Sequence, residues 1–254
     1  MAWSSGASCA RLCAINGRAR ARLISASMGT PQNTMSDAER YHTCLALMES
    51  VVSCRHQPIH RRLRKFGARQ SMLHLDALLL IYHLARVCRG SILEIGAFRG
   101  GSTIAAAWGM REANESKKLI TIEPGGRLRK HRLATRNILR SLKRNLSRQG
   151  VAGGVSVIEG HSFEPQVTAT VDRLLERAQV GLLILDADAD CKRDIDRYGP
   201  RLMSGCWLVI DDYLGSADNT KASPTKIQVD QLAAEGRLAP LGCFGLGTWV
   251  GQWA

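Results

Sequence analysis

The chain of 254 residues is 45% hydrophobic and carries a formal net charge of +13, with 24 glycines and 7 prolines. That apolar content can bury the core of an ordinary-sized domain, which excludes general disorder, collagen-like repeats and a small disulfide-stapled fold. The longest apolar runs, such as Ala77–Tyr82 and Gly181–Leu185, fall far short of the ~20 residues a membrane span requires, so the sequence predicts a soluble, cytoplasmic protein.

In chain order, residues 1–35 are rich in Ala, Ser and Arg and lack acids, and they read as an extension outside the fold. A transit-type leader, a disordered tail and a start upstream of Met28 or Met35 all fit this composition. Ser36-Asp37-Ala38-Glu39 is a capping-box pattern, followed by Tyr41, Leu45, Met48 and Val52 at helical spacing. A basic link, Arg55–Arg69, leads to a second helix over Ser71–Val87, and residues 36–87 together form a helical cap. Cys54, His56 and His60 are crowded by arginines and show no fourth ligand, so they do not make a zinc site. The eight cysteines contain no CxxC pair and read as reduced thiols.

From residue 88 to 254 short apolar strands alternate with amphipathic helices. Strands are predicted at Ser91–Ile95, Leu119–Glu123, Val155–Glu159, Leu182–Asp186 and Trp207–Asp211, with helices over about 102–113, 132–148, 164–178 and 190–203. Ser223-Pro224 opens one more helix, and Leu238–Phe244 and Thr248–Trp253 close the chain as β-segments. Such an order implies an α/β, doubly wound, Rossmann-like sheet of seven strands, mostly parallel with the last antiparallel. Ligands of such sheets bind beyond the carboxyl ends of the strands, which directs attention to those ends.

The first strand ends Leu93-Glu94-Ile95-Gly96-Ala97-Phe98-Arg99-Gly100-Gly101-Ser102-Thr103. A glycine-rich turn entering a helix offers free N–H groups and close backbone approach, but Phe98 occupies the second glycine position of a dinucleotide fingerprint. Glu123, twenty-seven residues after Gly96, ends the second strand, where a carboxylate can accept two ribose hydroxyls. Gly160-His161-Ser162-Phe163 follows the third strand, and a lone histidine there reads as structural. The fourth strand ends Asp186-Ala187-Asp188-Ala189-Asp190 and the fifth ends Asp211-Asp212-Tyr213. So many carboxylates in one region repel one another, and a hard divalent cation would relieve them; capping of helices and turns is the other reading.

Leu93–Thr103, Ile122-Glu123-Pro124 and Leu182–Tyr213 resemble the class I S-adenosylmethionine (SAM)-dependent methyltransferases of the "methyltransferase domain 24" type. They are also similar to metal-dependent O-methyltransferases that modify sugars. The resemblance implies a SAM site made of Glu94, Gly96, Gly100, Gly101, Ser102, Glu123, Ser162, Phe163 and Asp186. It further implies Mg²⁺ on Asp186, Asp211 and Asp212, with Asp188 as general base. The reaction implied is O-methylation of a small-molecule or saccharide hydroxyl. Ala187 replaces the usual Gly, and Ala189 stands where relatives carry His or a catalytic Lys, with Lys192 nearby.

Between Arg127 and Arg148 there are nine Lys or Arg and no acid. A nucleic-acid methyltransferase would use such a surface, but Leu128, Leu139, Leu142 and Leu146 at helical intervals fit a sheet-covering helix with a solvated face. Few aromatics are available for base stacking. An NAD-dependent oxidoreductase is disfavoured by Phe98, and a non-catalytic scaffold by the intact Glu94, Gly96 and Glu123.

Overall fold

The computed structural model describes residues 36–254 apart from Asn114 and Ala217. The reading of residues 1–35 therefore lies outside the described residues. Helix α1 (Asp37–Ser53) begins with the expected capping box: the Ser36 hydroxyl accepts from Glu39 N–H while Glu39 receives the Ser36 N–H. Its buried residues, however, are Leu47 and Val51, whereas Tyr41, Leu45, Met48 and Val52 face outward. The apolar series that reveals the helix is thus not the face that enters the core.

The basic link is itself a helix, α2 (Pro58–Gln70). Pro58 sits in its first turn, and Ile59, Leu63 and Phe66 repeat every three or four residues on the buried side. Its arginines hide this pattern in the sequence. Ser71 then caps its end, and α3 (Leu75–Val87) starts four residues later than expected. Leu78, Leu79, Leu80 and Ile81 of α3 are wholly buried, each worth ~2 kcal/mol of apolar transfer.

Strands β1 (Ser91–Ile95), β2 (Leu119–Glu123), β3 (Val155–Glu159), β4 (Val180–Leu185), β5 (Leu202–Ile210), β6 (Leu238–Phe244) and β7 (Thr248–Trp253) form one sheet in the order β3-β2-β1-β4-β5-β7-β6. Pairing is parallel from β3 through β5, and β7 runs antiparallel to both of its neighbours. The strand order reverses between β1 and β4, which opens a crevice at their carboxyl ends. One face of the sheet is covered by α1, α2, α3, α4 (Gly101–Glu112) and α5 (Ile138–Arg148). The other face is covered by α6 (Pro165–Leu175), α7 (Cys191–Tyr198) and α8 (Ala222–Ala234). Strand residues alternate between the faces: Ile92, Leu182 and Ile184 join the first core, and Leu93, Leu183 and Leu185 the second.

Several boundaries differ from expectation for local reasons. Helix α5 begins at Ile138 rather than 132, because Asn137 caps it by accepting from Arg140 N–H and residues 127–136 form a loop closed by a Leu128–Thr135 bridge. Helix α7 stops at Tyr198 before Gly199-Pro200, so β5 starts at Leu202 instead of Trp207. Helix α8 begins at Ala222, with Lys221 rather than Ser223 at its cap position.

Candidate active site at the strand ends

Ladder hydrogen bonds place the strand ends side by side. Gly96 N–H donates to Ile122 C=O (3.0 Å), Asp186 N–H to Ile95 C=O (2.9 Å), and Asp211 N–H to Leu185 C=O (2.9 Å). Glu94, Glu123, Asp186 and Asp211 thereby sit on four adjacent strands, β1, β2, and the ends of β4 and β5.

Glu94 is fully buried. Its Oε2 accepts from Thr103 Oγ1 (2.5 Å) and Thr121 Oγ1 (2.6 Å), while Oε1 is buried without a hydrogen-bond partner. Burial raises its pKa, opposed by the hydroxyls of Ser102, Thr103 and Thr121. Glu123 receives Phe98 N–H on Oε2 (2.6 Å) and Gly125 N–H on Oε1 (2.8 Å), which leaves each oxygen capacity for one more donor. Burial raises the pKa of this carboxyl too, against those two N–H groups.

The glycines of the turn are required by neighbouring protein atoms. A Cβ on Gly96, whose φ is +93°, would stand 2.2 Å from Asp186 C=O, and one on Gly101 would stand 2.3 Å from Ser71 Oγ. Gly100 adopts φ +88° as the left-handed residue that starts α4, and Phe98 between them is also left-handed at +48°. Ser102 and Thr103 are buried in the first turn of α4. The sequence motif marks the turn, but the role of Ser71 in closing over it carries no local signal.

The loop after β3 is organised by Arg193 of α7, a residue with no motif to announce it. The Ser162 hydroxyl donates to Asp194 (2.6 Å), and the Phe163 ring stacks on His161 (5.1 Å) beneath the Arg193 guanidinium (4.6 Å). Arg193 also donates to both oxygens of Asp188 (3.1 and 3.2 Å) and to Asp194 (3.2 Å). Asp188 thus shares Arg193 with Asp190 and Asp194, with both of its oxygens engaged. Asp190 caps α7 by accepting from Arg193 N–H (3.3 Å), and Lys192 pairs with Asp196 (2.6 Å).

Asp186, Asp211 and Asp212 converge, each offering a carboxylate oxygen within 4.8 Å of the others. Burial pushes Asp186 well above the ordinary carboxylate range, reinforced by Asp211 and opposed by Lys221. Burial also raises Asp211, although Thr248 Oγ1 donates to it (2.6 Å). Asp212 holds a left-handed φ of +59°, fixed by Asn219 Nδ2 on Oδ1 (2.7 Å) and by Lys221 Nζ at 3.3 Å from Oδ2. Lys221 further donates to Ala187 C=O (2.7 Å), tying the β4 and β5 ends together. Thr248 comes from distant sequence and Asn219 and Lys221 from the segment that follows β5, and no sequence pattern identifies them.

Residues 93–213, which contain every acidic residue of the site, match the family described as "Methyltransferase domain". The chain carries a class I SAM-dependent methyltransferase domain. A search of curated proteins gives no match. Among solved structures, a candidate caffeoyl-CoA O-methyltransferase from Staphylococcus aureus is 19% identical, with a TM-score of 0.59 over 83% of this chain and 100% of that one. The O-methyltransferase TomG of Streptomyces achromogenes, involved in tomaymycin synthesis and solved with SAM, is 20% identical, with a TM-score of 0.56 over 87% and 99%. An O-methyltransferase from Bacillus cereus solved with S-adenosylhomocysteine (SAH) is 14% identical, with a TM-score of 0.52 over 95% and 97%. At these identities the likeness is one of fold, and the methyltransferase domain shares its sheet and crevice with all three.

Proposed function

We propose that the protein is a cytoplasmic SAM-dependent O-methyltransferase that methylates a hydroxyl of a small molecule or saccharide, assisted by Mg²⁺. The observation that carries this reading is the convergence of three carboxylates within 4.8 Å at the rim of the crevice that also holds Glu94 and Glu123. Residues 88–254 carry the chemistry in this reading, and residues 36–87 with the segment after Tyr213 shape the acceptor pocket. Cys44, Cys88, Cys191, Cys206 and Cys243 are thiols, which fits a reducing compartment.

The residues suit SAM. The unpartnered Glu94 Oε1 can accept from a cationic or N–H group brought by a ligand, and an unmet buried carboxylate oxygen is costly otherwise. Glu123, held by two backbone N–H groups, presents two acceptors to a ribose diol. Gly96, Gly100, Gly101 and Ser102 form the turn beneath the ligand, with Asp186 at its edge, and Ser162 and Phe163 flank the adenine. When bound, SAM supplies an electrophilic methyl group. The Asp186, Asp211 and Asp212 oxygens are a hard donor set suited to Mg²⁺, which would offset their mutual repulsion and acidify a coordinated hydroxyl. In this reading Asp188, held by Arg193, would accept the acceptor's proton, and the acid cluster and cap would position the acceptor hydroxyl.

Calorimetric titration of SAH into the metal-free protein, repeated with Mg²⁺ and with Glu123→Ala, tests the reading. Micromolar binding that disappears in Glu123→Ala is expected. Absence of binding under both metal conditions would remove the assignment.

A further inference from the structure

Among the described residues the two longest segments without an acid are those between Glu49 and Asp76 and between Glu123 and Glu159. Together they hold 15 of the 35 Lys and Arg and none of the 22 Asp and Glu, so the positive net charge of the whole protein resides in them. The fold brings the two segments together. Arg62 and Phe66 of α2 lie on Trp108 of α4, and Leu142 of α5 packs under Gly100 at the start of the same helix. Both helices therefore flank α4 on the same face of the sheet. They meet directly where Asn145 donates to Gln70 (3.1 Å) and where Arg132 donates to Ala68 C=O (2.7 Å).

On these two helices Arg61, Lys65 and Arg69 of α2 recur every four residues, as do Arg140, Arg144 and Arg148 of α5, and all six are exposed. Four residues of helix advance ~6 Å along the axis. Two cationic rows of that pitch match the phosphate spacing of an extended single strand. Among the described residues none of the six pairs with a carboxylate. Nor does any exposed large apolar side chain lie on either helix, as membrane insertion would favour. The surface also adjoins the site, because Arg99 of the glycine turn donates to Leu133 C=O (3.0 Å) in the basic loop.

We propose that the outer face of α2, α5 and the loop 124–137 is a docking surface for a single-stranded nucleic acid, held by its phosphate backbone. The paucity of aromatics makes the contact independent of base sequence. The inference does not depend on which hydroxyl the enzyme methylates.

Fluorescence anisotropy of a labelled oligouridylate of about 20 nucleotides, titrated with the full chain from about 50 to 300 mM salt, tests it. A single strand releases ~0.7 counterion per phosphate contacted, so contact with six phosphates gives a slope of log K against log salt near −4. Arg140→Gln with Arg144→Gln, or Arg61→Gln with Lys65→Gln, should weaken binding roughly twentyfold at 0.1 M salt and flatten the slope by ~1.4. Arg173→Gln with Arg177→Gln removes the same charge from the opposite side of the sheet and should leave binding unchanged. Thermal unfolding of each variant, with Lys143→Gln and Arg148→Gln as a second pair on α5, separates lost contact from lost fold. Failure to bind the oligonucleotide, equal losses on both sides of the sheet, or binding of phosphatidylserine vesicles or heparin without binding of the oligonucleotide would each overturn the proposal.

Discussion

Gly96 shows how one residue joins two strands. Its φ of +93° disfavours any other residue, and the Asp186 carbonyl occupies the place of its missing Cβ. Gly96→Ala is expected to cost about 3 kcal/mol, read as a lowered urea midpoint at unchanged slope. The acid cluster makes an opposite prediction. Glu94, Asp186 and Asp211 have raised pKa values in the folded chain, chiefly from burial, so the folded state holds protons that the unfolded chain has already lost. Stability from these groups is therefore greatest at and below the ordinary carboxylate range and falls as pH rises through their raised pKa values. In metal-free protein the melting temperature should drop as pH rises above the ordinary carboxylate range, and Mg²⁺ should restore it most at the alkaline end. Asp211→Asn should raise metal-free stability at that end by ~1 kcal/mol and abolish the Mg²⁺ gain. A melting temperature indifferent to both pH and Mg²⁺ would count against the cluster as a cation site.

Elements were legible where the repeat of apolar residues was long or a cap was present. The Ser36 box and strands β1, β2 and β3 could be read to their ends, and β4 and the second half of β5 in place, because the central strands are dominated by apolar residues. Helix α2 was not legible, since Arg and Lys occupy its outer face so densely that Ile59, Leu63 and Phe66 are lost among them. Helix α1 illustrates the remaining ambiguity, because it is apolar on two sides and only packing selects one. Leu47, 3% exposed, should cost about 2–4 kcal/mol when replaced by Ala, whereas Leu45, 38% exposed, should cost less than ~1 kcal/mol. Chemical denaturation of the two variants decides which face supports the fold, and equal losses would contradict the packing described.

At the scale of the molecule, charge and core are segregated. The cationic segments lie on one face of the sheet, with Ile59, Leu63, Phe66, Leu142 and Leu146 in its core and their charges turned outward, and they bring no acids with them. Like charges held within a Debye length repel, so raising salt from about 20 to 300 mM should raise the melting temperature by screening that face. The Arg140→Gln, Arg144→Gln variant should start higher at low salt and gain less. A melting temperature that falls with salt would show that attractive pairs, not this surface, dominate the electrostatics.

What the sequence determined by itself was the order of elements, the sheet class and the acidic residues at the strand ends, because each depends on patterns within about ten consecutive residues. Glu94, Gly96, Glu123, Asp186 and Asp211 all belong to such patterns. Only the tertiary structure decided how these groups are partnered. Arg193 engages Asp188, Lys221 and Asn219 fix Asp212, Thr248 donates to Asp211, and Ser71 closes over Gly101. Thr248 and Ser71 arrive from elsewhere in the chain through strand order and helix packing, which leaves no spacing to read, while Arg193, Asn219 and Lys221 lie within ten residues of their acids in turns whose geometry no short pattern specifies.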